Sequence, residues 1–165
     1  MSLWAPGLLS LNNIKHLKIA IRNTDYIIVN ESECVNLTGI NDPVLASKLI
    51  LSNTKLDTNV IVTMGENGCI YANKKMILNI PAVKIGNRTN DNFHKITNTA
   101  GAGDAFIGTF AAMKILGNDD VESLIFANVS GAIKSTRENI RESPSLQEIL
   151  EIKQNLRLSP TTILE

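Results

Sequence analysis

Two short apolar runs constrain the fold of this 165-residue chain more than any other feature. Tyr26-Ile27-Ile28-Val29 stops at Asn30, and Val60-Ile61-Val62 stops at Thr63-Met64-Gly65. Neither run alternates polar with apolar side chains. Strands of that kind are buried on both faces, as in a parallel sheet covered by helices. Between them lie two helical stretches, Glu31 to Leu37 and Asp42 to Ser52, separated by Thr38-Gly39-Ile40-Asn41. Strand, helix, strand is the repeating unit of an α/β sheet. Upstream, Leu11 to Thr24 has helical spacing, with Leu11, Ile14, Leu17 and Ile21 on one side.

The pattern changes after Gly68. Cys69 to Ala72 and Met76 to Ile80 flank Asn73-Lys74-Lys75, which reads as a β-hairpin. The Asn- and Arg-rich stretch Gly86 to His94 reads as a surface loop. Asp104 to Leu116 is apolar nearly all round, which predicts a buried helix. Asp119 with Glu122 predicts a capping box at the start of the next helix, whose stripe runs from Val121 to Ile133. A last helix is expected from Ser145 to Leu156, and residues 156–165 read as a loose tail. Residues 1–155 are therefore expected to form one α/β unit.

Composition narrows the function classes. Sixteen Lys and Arg balance sixteen Asp and Glu, so no global field draws the chain to nucleic acid or anionic lipid. Aromatic residues make up 4%, too few for base-stacking platforms. No apolar run approaches the ~18 residues that span a bilayer. Cys34 and Cys69 lack metal-ligand spacing and point to a reduced, cytoplasmic protein. His16 and His94 have no acidic or nucleophilic neighbour in sequence and read as surface residues.

The strongest local signal for chemistry is Thr99-Ala100-Gly101-Ala102-Gly103-Asp104, a small-residue turn entering a helix. Backbone without bulk lets an anion approach the unpaired N–H groups of the first helical turn. Asp104 then reads either as a base aimed at a hydroxyl beside the anion or as a plain helix cap. The stretch matches neither the phosphate loop GxxxxGK[ST] nor the dinucleotide pattern GxGxxG. Asn30 and Thr63 each follow a strand, at the carboxyl edge where α/β sheets bind ligands. Glu33 shares a helical face with Asn30, so the pair reads as water-mediated magnesium ligands or as a capping box. Asn128 falls inside an apolar stripe, where a buried amide needs a partner, either backbone or a heterocycle.

Together these stretches resemble the ribokinase-like (PfkB) family of carbohydrate and nucleoside kinases over roughly residues 1 to 150. The resemblance rests on Asn30-Glu31-Ser32-Glu33 (NxxE), Thr63-Met64-Gly65-Glu66-Asn67-Gly68 (TxGxxG), Asn98-Thr99-Ala100-Gly101-Ala102-Gly103-Asp104 (DTxGAGD) and Phe126-Ala127-Asn128. It implies a partial Rossmann-like three-layer α/β/α fold, with parallel strands, a β-hairpin and flanking helices. It also implies an ATP-dependent phosphotransferase acting on an alcohol group of a sugar or nucleoside. Asp104 would be the general base, with the amides of Gly101, Ala102, Gly103 and Asp104 as the anion hole. Asn30, Thr63, Gly65, Gly68, Gly103 and Asn128 would border ATP, and Asn30 with Glu33 would place Mg2+ through water.

Two positions depart from the family pattern. Asn98 stands where the signature usually begins with Asp, and Asn139 stands where Gly commonly follows Thr-Arg in the loop that surrounds a monovalent cation in some members. Both put a potassium site in doubt. Members are also roughly twice as long, so the chain reads as a C-terminal, ATP-binding half. It would be an excised piece, a truncated gene product or one part of a split protein, paired with the missing half or with a second copy. The alternative is an inactive fragment that acts only by binding nucleotide or by associating with a partner chain.

Overall fold

The computed structural model describes residues 1–6, 21, 23–83, 85, 98–139, 141–156 and 158–163. Most of the helix expected over Leu11 to Thr24, the loop expected over Gly86 to His94, and both histidines lie outside these residues. The chain divides into two compact units, Met1–Asn79 with Pro160–Glu165, and Ile80–Ser159. The first unit thus takes in the C-terminal residues as well.

Among the described residues six strands form one sheet in the order β1-β2-β3-β4-β5-β6. The short strand β1 (Leu3–Trp4) runs parallel to β2 (Tyr26–Asn30). β2 runs parallel to β3 (Asn59–Thr63), with Tyr26 opposite Asn59 and Asn30 opposite Thr63. The two apolar runs therefore pair over their whole length. Ile27, Val29, Val60 and Val62 join one core cluster, and Ile28 and Ile61 on the other face are buried as well. Burial on both faces is why neither run carries polar alternation. Each such side chain contributes roughly 1.5–3 kcal/mol of transfer free energy.

Between β2 and β3 the chain forms α1 (Glu31–Thr38) and α2 (Pro43–Leu51). α1 ends at Gly39, whose φ of 73° lets its N–H reach the Val35 carbonyl at 2.7 Å. α2 begins with Asp42 accepting from the amides of Val44 and Leu45, with Pro43 at the first helical position. Cys34, Leu37, Ala46, Ile50 and Leu51 pack onto the sheet core. β4 (Cys69–Ala72) runs antiparallel to β3, and Asn73 turns the chain into β5 (Ile77–Ile80). β6 (Thr161–Thr162) then pairs antiparallel with β5. Part of the tail expected to be loose is therefore held by sheet hydrogen bonding.

The second unit contains α3 (Ala102–Ile115), α4 (Asp120–Ser135) and α5 (Leu146–Lys153). Val83, Met113, Phe126, Val129, Ile133 and Ile149 make its core. α3 is covered less than its sequence predicts. Ala105, Phe106, Phe110 and Met113 are buried, whereas Ile115 is 78% exposed and the following Leu116 68%. At α4 the Asp119 carboxylate accepts from the Glu122 amide at 2.8 Å, as expected of an N-cap. The Glu122 carboxylate does not complete the box. It pairs with Lys153 of α5, whose ammonium also lies 4.7 Å from the centre of the Phe126 ring.

Candidate functional site

In the first unit, Asn30 and Thr63 end adjacent parallel strands side by side. Asn30 Oδ1 accepts from the Glu33 amide at 2.8 Å, and Glu33 Oε2 accepts from the Asn30 amide at 2.9 Å. This is a complete capping box, and it fixes both side chains at the strand end. Among the described residues, Asn30 Nδ2 and Glu33 Oε1 have no hydrogen-bond partner. Thr63 leads into a turn closed by Met64 N–H on Gly68 O at 2.8 Å and Gly68 N–H on Gly65 O at 3.2 Å. Gly65 (φ 53°) and Gly68 (φ 88°, ψ −130°) occupy conformations that side chains avoid, so the two glycines have a backbone reason for their spacing.

In the second unit, the turn before α3 is ordered by Asn98. Its Oδ1 accepts from the Ala100 amide at 2.9 Å, and its own N–H donates to Ser135 O at 3.2 Å. Gly101 is the N-cap of α3 with φ 80°, and having no side chain it caps no amide. Ala102 N–H is taken by Thr99 O at 3.1 Å, and the first helical bond runs from Ala105 N–H to Gly101 O. Among the described residues, the amides of Gly101, Gly103 and Asp104 have no acceptor. Of the four amides expected to form an anion hole, that of Ala102 is engaged in closing the turn.

Gly103 and Asp104 are exposed, and a Cβ built on Gly103 meets nothing within 4 Å. The turn is braced from behind by α4. A Cβ on Gly131 would lie 3.3 Å from Ala102 O, and Ser130 Oγ donates to Ala105 O at 3.3 Å while accepting from Thr109 Oγ1 at 2.8 Å. Asn128 is 9% exposed, and its Nδ2 donates to Pro81 O at 3.3 Å, which meets part of a buried amide's need.

The model of the pfkB family of carbohydrate kinases matches residues 8–147. The chain belongs to this family. It is 30% identical over 132 residues to the deoxyribokinase of Salmonella typhi, covering 77% of this chain and 40% of that protein. It is 33% identical over 150 residues to fructokinase-2 of Solanum lycopersicum, covering 84% of this chain and 42% of that one. Thermotoga maritima ribokinase superposes with a TM-score of 0.75 at 26% identity, over 93% of this chain and 48% of its own. An Escherichia coli protein assigned as a ribokinase II, in complex with ATP and Mg2+, superposes with a TM-score of 0.71 at 26% identity, over 86% and 43%. The fold is therefore ribokinase-like and partial, and the chain spans about two fifths of the length of these curated relatives.

The donor groups at the start of α3 in this pfkB chain are backbone amides. The start of α3 has a glycine N-cap and, among the described residues, three amides without an acceptor, the kind of backbone that anionic oxygen can approach. Among the described residues no group of three His, Cys, Asp or Glu side chains could hold a metal ion. Mg2+ keeps several waters and takes most of its remaining ligands from phosphate. Asn30 and Glu33 have one polar atom each beyond their capping bonds and fit such a water-mediated role. Two residues of interest escaped the sequence reading. Gly131 looks like any small residue on a helix, and Lys134 looks like a helix-end lysine on a solvated face.

Proposed function

We propose that this chain carries the ATP-binding and catalytic part of a sugar or nucleoside kinase. The observation that carries the reading is the start of α3, where a bare glycine cap exposes three amides and places the Asp104 carboxylate in the same turn. Membership of a carbohydrate kinase family and likeness to a protein in complex with ATP and Mg2+ support it. The acceptor hydroxyl would lie against Asp104. Its oxygen forms the new bond to the γ-phosphorus as the bond from that phosphorus to the β–γ bridging oxygen breaks. The hydroxyl proton passes to the Asp104 carboxylate, and ADP leaves with the electrons of the broken bond.

The amides of Gly101, Gly103 and Asp104 would hold the transferring oxygens, and positioning with charge stabilisation supplies most of the acceleration. Bound Mg2+ would neutralise charge on the remaining phosphates. Asn30 and Glu33 would orient its waters, and Thr63, Gly65, Gly68 and Asn128 would border the nucleotide. Titration calorimetry with MgATP tests the reading. Saturable heat at or below millimolar nucleotide supports it, and none at that concentration sinks it. A second reading is nucleotide binding without turnover. A coupled assay with deoxyribose, ribose and fructose separates the two.

A further inference from the structure

We propose that the buried ammonium of Lys134 is the resident cation of the loop following α4, so that this site takes no potassium ion. Lys134 is 1% exposed, in the last turn of the helix. Lysine is almost never buried to that extent without a compensating partner. Among the described residues that partner is a main-chain carbonyl, Asn139 O, which accepts from Nζ at 3.1 Å. A dehydrated monovalent cation in a protein loop is held in the same way, by carbonyl oxygens at short range. An ammonium group has the charge of potassium and nearly its size.

The carbonyl that holds this charge is itself fixed within the loop. The Asn139 carbonyl also accepts from the Glu142 amide at 3.2 Å, and Asn139 Oδ1 accepts from the Arg141 amide at 3.0 Å. Arg137 draws on Ser143 O at 2.8 Å, so a second cation organises the loop's later carbonyls. Ser135, next to Lys134, accepts the Asn98 amide that starts the turn before α3. Asn98 is a neutral amide where the family signature usually has a carboxylate. A negative charge is absent and a positive one is built in, one residue apart across that hydrogen bond. These residues do not fit a further cation, because its charge would face an ammonium and meet no carboxylate at Asn98. By fixing the loop, Lys134 acts as a positioning residue for the Asn98–Gly101 turn; its link to phosphoryl transfer rests on the kinase reading.

The test needs no nucleotide, so it stands apart from the calorimetry on which that reading depends. Thermal unfolding of the chain is followed in potassium, ammonium, lithium and choline chlorides at matched ionic strength. The wild type should melt at the same temperature in all four. Lys134→Ala should melt several degrees lower in choline and recover most of that loss in potassium or ammonium but not lithium. Lys134→Met should be lowered without recovery, since its stem fills the space a cation would enter. Potassium-selective stabilisation of the wild type overturns the proposal, and this arm decides even if Lys134→Ala fails to fold. A Lys134→Ala protein destabilised without selective recovery, or as stable as wild type in choline, overturns it as well.

Discussion

The residues at the start of α3 separate the needs of folding from those of binding. Gly103 sits in helical backbone with open space where a Cβ would be, so alanine there strains nothing and improves helix propensity by up to ~1 kcal/mol. Gly103→Ala should keep or raise the melting temperature while weakening MgATP binding about tenfold or more, as the methyl group keeps phosphate from the amides. Equal losses in stability and binding would refute that separation. Gly131 has the opposite character. Its Cβ would press on Ala102 O at 3.3 Å, and a branched side chain there overpacks the joint between α3 and α4. Gly131→Val should cost roughly 1–3 kcal/mol in denaturant unfolding. Asp104→Asn preserves shape and removes the proposed base. Wherever turnover with a sugar or nucleoside is measured, it should fall by roughly 10²–10⁴ with MgATP affinity unchanged. Normal turnover would reduce Asp104 to a residue of the first helical turn.

The elements show where local sequence suffices and where tertiary context takes over. At α1 the capping box and the proposed magnesium role use the same two side chains, and substitution can part them. Asn30→Ala removes the cap and should cost about 1 kcal/mol. Asn30→Ser keeps an N-cap oxygen, so its unfolding midpoint should stay near wild type while MgATP affinity falls. If Asn30→Ser binds as well as wild type, the side chain is a cap alone. The helix starts at Asn30, Asp42, Asp119 and Ser145 were legible because each cap acts within four residues. The β2 and β3 pairing was legible because burial on two faces removes polar alternation. β6 was not, since two exposed threonines carry no period. The half-formed box at Asp119 was not either, because the competitor for Glu122 is Lys153, 31 residues away in sequence. At the candidate site, the glycine turn into α3 with Asp104 in its first turn was readable from spacing. The capture of the Ala102 amide by Thr99 and the burial of Lys134 depend on turn closure and packing, which no local pattern encodes.

Across the whole molecule, acid should act on a carboxylate clamp in each unit. In the first, Asp25 joins the start of β2 to the N-terminal strand. It accepts from Lys55 Nζ at 2.5 Å, from the Ser2 amide at 2.7 Å and from Ser2 Oγ at 3.2 Å. The Lys55 hydrogen bond, then the Ser2 amide, hold its pKa down at about 2 against the ordinary 3.8. In the second unit, the Ser145 amide and hydroxyl, helped by Arg137, lower the pKa of Glu148. A depressed carboxylate stabilises the fold above its unfolded pKa, and that contribution fades as pH falls through the folded one. Stability should therefore drop between about pH 4 and about pH 2. Asp25 is about one-third exposed, so solvent screens its ion pair and the effect is modest. Asp25→Asn should lower the melting temperature at neutral pH, and the gap from wild type should close toward pH 2, where the native carboxyl is largely protonated. The variant should remain acid-sensitive through Glu148. Calorimetric scans of both proteins across that range check it, and an offset that stays constant with pH would mean that the loss at Asp25 is packing and not charge.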